Sequence, residues 1–281
     1  MNKNWPLFIK SFTLAFILLF GIGVLAVTTL IQSQEPVIVQ TNTTVQQRYQ
    51  PGEDEVLNIL LMLCKNRSDI ADTYILLQIN AYENSVAIAQ IPADLQSTVN
   101  VRTDSIAGLY DYGGIEMAKK GVENLFFIEI DRTVRIDDAS LTTLVDYLGG
   151  MEWNVDEQIA YQDANGEELI LQPGRQAIDG RRFCVLMRSD YAVEALCSLA
   201  AQRCNESLLG RLQSFFSLLG TNTDTDLTAY DFEYFRKGWE QMMIDHNATV
   251  KKDAVEEQNV GNRLTVTDDT RAVFSTDFDK P

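Results

Sequence analysis

The stretch from Asn58 to Asp94 constrains this chain most. Residues 56–63, 73–79 and 86–91 are apolar runs of strand length, and only the short polar segments 64–72 and 80–84 interrupt them. Such runs read as buried or half-buried strands. Three in succession seed a sheet. The charged segment between the first two is where a site would collect, because a rigid strand end positions it and packing does not claim it.

Strand and helix then alternate. Residues 115–125 read as a helix behind Gly113-Gly114, and 126–136 as one or two strands. Residues 140–148 read as a helix capped around Asp138 or Ser140 and stopped by Gly149-Gly150. Residues 176–187, 193–219 and 226–243 read as further helices, the last carrying Tyr230, Phe232, Tyr234, Phe235 and Trp239 as a core stripe. The fold class is therefore α/β, a mixed central sheet flanked by helices in an α-β-α sandwich.

One transmembrane helix is expected ahead of it. Residues 12–32 begin with an uncharged apolar run of bilayer-spanning length, with Lys3 and Lys10 before it and none of that charge just after it. The run is long for a cleaved signal peptide, and no Ala-x-Ala site follows it. Residues 1–11 are thus expected in the cytoplasm and 12–32 in the membrane as a single-pass anchor. Residues 33–55 make an extracellular linker, 56–245 the domain, and 246–281 an acidic polar tail that docks one short strand. With Met1 at its start, the chain is expected to hide no leader upstream.

The ordered motifs Asn58-Ile-Leu-Leu, Asp72-Thr73, Ile91-Pro92 with Asp94, Tyr112-Gly113-Gly114, Val122-Glu123-Asn124-Leu125, Leu144-Val145-Asp146 with Leu148-Gly149-Gly150, Pro173-Gly174 and Asp179-Gly180 resemble the LytR-CpsA-Psr family of the cell envelope. The resemblance covers residues 56–218. It implies a membrane-attached domain that binds a polyprenyl-pyrophosphate-linked glycopolymer in an apolar cleft and transfers it to the cell wall, with Mg2+ or Mn2+ as cofactor if active. Carried over by motif, Arg67 and Asp72 stand at the catalytic positions, with Asp72 on the metal. Arg67, Asp94 and Arg188 stand at ligand-binding positions.

This chain departs from the family pattern at its phosphate chemistry. A metal carboxylate of the family is Lys65 here, and family arginines are replaced at Ile70, Ala93 and Asp190 and around Cys197 to Gln202. Phosphoryl transfer depends on arginines and a divalent ion placed around developing negative charge. The expectation is a catalytically degenerate member that binds a polyprenyl lipid, a glycopolymer or an envelope protein partner. The alternative is an active phosphotransferase.

Other classes fit poorly. The formal net charge is −17, and since Lys3 and Lys10 precede the membrane run, the remainder is more acidic still, which excludes a nucleic-acid partner. His246 is the sole histidine and sits in a polar stretch, so a histidine-based triad or metal centre has no support. Cys64, Cys184, Cys197 and Cys204 match no zinc spacing; Cys197 and Cys204 are too far apart along one helix to bridge and read as small core residues, whereas Cys64 and Cys184 pair only if the strand after Leu61 and the segment around Val185 line one cleft.

Overall fold

The computed structural model describes residues 48–280 except 204, 205, 212, 213, 216, 217, 220 and 246. The anchor expected over 12–32 and Cys204 lie outside the described residues. Among the described residues no helix is long and apolar enough to cross a membrane.

Strands β1 (Val56–Cys64), β2 (Thr73–Asn80) and β3 (Ser85–Ile91) form where the apolar runs place strands, and they pair antiparallel as the centre of the sheet. β6 (Arg132–Asp137) lies parallel to β1, and the short strands β11 (Asp224–Thr225) and β12 (Thr249–Lys252) close the two edges. The order is β11-β6-β1-β2-β3-β12, a mixed sheet.

Strand alternation sorts the core into two layers. Leu57, Ile59, Leu61 and Leu63 face α2 (Asp138–Leu148), α3 (Gly180–Met187), α4 (Ala192–Arg203) and α5 (Ala229–Asp245). The ribbon strands β7 (Met151–Val155), β8 (Ile159–Gln162), β9 (Glu168–Leu171) and β10 (Gly174–Ile178) add Met151, Val155, Tyr161, Leu171 and Ile178 to that layer. Leu60 and Met62 face the opposite layer, built on α1 (Ile106–Phe126) and the hairpin β4 (Gln96–Val99)–β5 (Arg102–Ser105). Helices α2 and α3 approach so closely that a Cβ on Gly180 would lie 2.2 Å from the Thr142 carbonyl oxygen. Only glycine fits there.

Several elements differ from expectation. The helix expected from residue 115 begins at Ile106 and bends at Gly113 and Gly114, where Gly114 takes φ 67°. Residues 174–178 form β10 against β7, so the helix expected from 176 starts only after the Asp179 cap. On α5, Phe232, Phe235 and Trp239 are buried as expected, but Tyr230 and Tyr234 are exposed.

Residues expected to be a polar tail fold onto the domain. Beyond β12, which is the docked strand, β13 (Glu257–Val260) and β14 (Arg263–Val266) form a hairpin, and α6 (Asp268–Asp277) follows. Phe274 stacks on Phe126 at 4.3 Å and on Phe278 at 5.0 Å, all three buried. Each such ring contributes about 1.5–3 kcal/mol by burial, enough to hold a polar helix down. The Asn58 amide donates to the carbonyls of Glu129 and Phe278, and the Gln78 amide to Asn58 Oδ1 and the Asp279 carbonyl.

Cys64, Cys184 and Cys197 are free thiols, so the Cys64–Cys184 bridge is corrected. Cys64 follows the even-numbered β1 residues toward the α1 layer, whereas Cys184 belongs to the opposite layer. The sheet separates them.

Candidate functional site

The carboxyl ends of β1 and β6 coincide, with Cys64 opposite Asp137, while Leu63 faces Thr73 at the start of β2. The segment 65–72 and the Asp137-Asp138 pair therefore meet at one edge of the sheet. Helix α3 ends there too, delivering Arg188 as its C-cap. Cys64 lies within the fields of Arg135, Asp137, Arg188 and Asp72, although burial is what chiefly pushes its thiol up to about 11.

Arg188 is the centre of this cluster. Its side chain is only 7% exposed; Nε lies 2.8 Å from Asp72 Oδ1, in poor line for a hydrogen bond, and Nη2 donates to Asp138 Oδ1 at 2.9 Å. The Tyr161 hydroxyl donates to Asp138 Oδ2 at 2.6 Å, and the Tyr161 ring centroid lies 5.7 Å from the guanidinium. Thr73 donates to Asp72 at 3.1 Å. Burial opposes the charge on Arg188, but Asp72 and Asp138 outweigh it and raise its pKa. Burial raises the Asp138 carboxyl against the pull of Arg188. The ion-pair partners of Arg188 are thus Asp72 and Asp138, while Glu194 faces Lys252 at 3.7 Å.

Arg67 sits at the other end of the cluster, 63% exposed, with Nε 3.3 Å from Asp137 and Nη2 donating to the Asn222 carbonyl at 3.2 Å. The expected metal-position residue Lys65 donates to the Gln162 carbonyl at 2.8 Å and covers the Tyr161 ring at 5.0 Å. Asp94 does not join: it is exposed past the end of β3, with no hydrogen bond or ion pair to the others among the described residues. The structure thus brings Arg67, Asp72 and Arg188 to one strand end and leaves Asp94 outside.

Three residues were missed. Asp138 was read only as a helix cap, and Tyr161 not at all. Arg135, buried on β6, donates to Asp224 at 2.9 Å and to the carbonyls of Asp69 and Arg67. Its one sequence signal was a charge between apolar Val134 and Ile136 in a strand covered on both faces.

The arrangement suits charge pairing better than phosphate binding. Carboxylates of Asp69, Asp72, Asp137, Asp138 and Asp224 at least match the cations Lys65, Arg67, Arg135 and Arg188. A divalent ion does not fit this donor set: Asp72 is engaged by Arg188, and no group of three His, Cys, Asp or Glu side chains able to hold a metal occurs among the described residues. Beside the cluster opens a cleft of about 320 Å³ lined by Lys65, Asp138, Thr142, Tyr161, Asp163 and Arg181, among others. Arg181 is held there by Asp163 at 3.0 Å and Glu167 at 2.5 Å. In the layer beneath, Phe183, Leu186 and Met187 are fully buried core, so side chains fill the space that an apolar cleft between sheet and helices would need at that point.

Comparison with known proteins agrees with this architecture. Polyisoprenyl-teichoic acid–peptidoglycan teichoic acid transferase TagU of Halalkalibacterium halodurans is 36% identical over 173 residues, 56% of this chain and 55% of the relative. The chain thus matches about half the length of that relative. Among solved structures, Bacillus subtilis TagV superposes with a TM-score of 0.64 at 15% identity, covering 80% of this chain and 98% of TagV. The LytR-CPS2A-psr family protein YwtF (TagT), solved with bound octaprenyl pyrophosphate lipid, gives 0.53 at 17% identity over 83% of this chain and 95% of its own. These two likenesses concern the fold alone. The model of the LytR_cpsA_psr family matches residues 24–277, and with nearly the whole described domain inside that match, the chain belongs to the LytR-CpsA-Psr family.

Proposed function

We propose that this protein is a catalytically degenerate envelope protein, anchored through residues 12–32 with its domain outside the cell, that uses a transferase scaffold to bind rather than to react. One observation carries this reading: Arg188 is enclosed by Asp72, Asp138 and the Tyr161 ring, so a guanidinium expected to grip pyrophosphate is already neutralised by the chain's own carboxylates. Bidentate gripping of phosphate needs that guanidinium edge free. Of the three ligand classes, a glycopolymer or an envelope protein partner is favoured over a polyprenyl lipid, because Phe183, Leu186 and Met187 fill the core.

The experiment is an assay of the purified full chain with a polyprenyl-pyrophosphate-linked glycopolymer and Mg2+ or Mn2+. Turnover at background is expected, since each lost charge stabiliser typically costs about 10²- to 10³-fold in rate. Turnover abolished by Asp72→Ala or Arg67→Ala sinks the reading. That outcome favours the second one, an active transferase, which the names of its relatives support; Lys65 is then the first residue to change. The placement outside is tested separately: protease added to intact cells should remove the domain.

A further inference from the structure

We propose that the Asp138 carboxylate is a built-in plug, occupying the edge of Arg188 and the mouth of an otherwise anion-favouring cleft, so that this one residue sets the site against phosphate-class ligands. The inference rests on reading the site as degenerate and names the residue that keeps it closed. Both Asp138 oxygens are engaged, one by Arg188 and one by Tyr161. Asp138 lines the cleft of about 320 Å³ while Arg188 does not, so the carboxylate stands between the guanidinium and the space.

What surrounds the plug favours an anion. Asp138 is the first residue of α2, and Ala139 and Thr142 from the same helix line the cleft, so the first turns of an 11-residue helix, capped by Asp137 at the Ser140 N–H, border it. Lys65 lines the same space and bonds only a carbonyl; it has no carboxylate partner among the described residues. Arg188 itself keeps a buried Nη1 without a partner among the described residues. The first turn of a helix, an ammonium without a carboxylate partner among the described residues and an arginine with a spare donor meet where an internal carboxylate sits. The other carboxylate of the cleft, Asp163, is already paired with Arg181. Such a carboxylate is an anion that never dissociates. A dissolved phosphate must displace it and leave two carboxylates crowding one guanidinium region.

The test is calorimetric titration of the full chain with inorganic pyrophosphate. Wild type should bind only weakly. Asp138→Ala should bind about tenfold or more tightly, the size of one charge-assisted hydrogen bond, and Lys65→Met in that background should remove most of the gain. Asp138→Asn keeps the shape, serves if the alanine variant fails to fold, and should show a smaller gain of the same sign. Folded Asp138 variants that bind no better than wild type overturn the proposal, as does a gain that survives Lys65→Met unchanged. Those outcomes concern pyrophosphate affinity alone; polymer turnover by the wild-type protein overturns the degenerate reading instead.

Discussion

Arg67 and Arg188 are the same chemical group at two ends of one strand edge, and both occupy positions that a motif comparison would score as retained. Arg188 is 7% exposed between two carboxylates and an aromatic ring, whereas Arg67 is 63% exposed with a single carboxylate at 3.3 Å. Solvent screens the second pair and hardly screens the first. Retention of an arginine therefore says little about its role. Here the buried one has been absorbed into the structure, and the exposed one is the freer to meet a ligand.

Four measurements sharpen or break this contrast. Arg188→Met strands Asp72 and Asp138 without their counterion and should cost about 3–5 kcal/mol in urea unfolding; a loss below about 1 kcal/mol would erase the distinction from Arg67. Tyr161→Phe removes a hydrogen bond to a charged acceptor and should cost about 1–2 kcal/mol, low in the usual range because the cleft admits water to Asp138.

Asp253 supplies a carboxylate with the wrong neighbour. Burial, then Asp277, raises its pKa to about 6 despite Lys251, with Glu83 also facing that lysine. The folded state thus binds this proton more readily than the unfolded one. Its contribution is fully present below the ordinary carboxylate pKa of about 4 and is lost as pH rises through about 6. Asp253→Asn should therefore raise stability by about 1 kcal/mol at about pH 7.5, after discounting for partial exposure, and by little at about pH 4. The smallest effect belongs to Arg67→Ala, below about 0.5 kcal/mol in the same unfolding assay.

How much of this was legible follows physical lines. The strands β1, β2 and β3 were plain because both faces are buried, so their whole length is apolar. The ribbons β4–β5 and β7–β10 were not, since they are short, partly exposed and lie outside the main sheet. The Gly113-Gly114 pair reads as a helix boundary, yet Tyr110 before it reaches Arg135, and packing carries helix across the bend. At the site, the motifs pointed to Arg67, Asp72, Asp94 and Arg188, of which all but Asp94 meet at one strand end. Asp138 and Tyr161 escaped because their importance is relational: 50 residues separate Asp138 from Arg188, and 23 separate it from Tyr161. No local pattern encodes such a meeting.

The amides of Asn58 and Gln78, on the two central strands, donate to carbonyls of Phe278 and Asp279 near the very end of the sequence. Those acceptors lie 220 and 201 residues downstream of their donors, so the two central strands have these donors met only when a distant segment packs onto them. Leaving such donors unmet inside a core costs about 1–3 kcal/mol each. The centre of the sheet is in this way closed by residues that belong to no motif of the site: removing Phe278 and Asp279 would keep every such motif and yet take away the groups that meet Asn58 and Gln78.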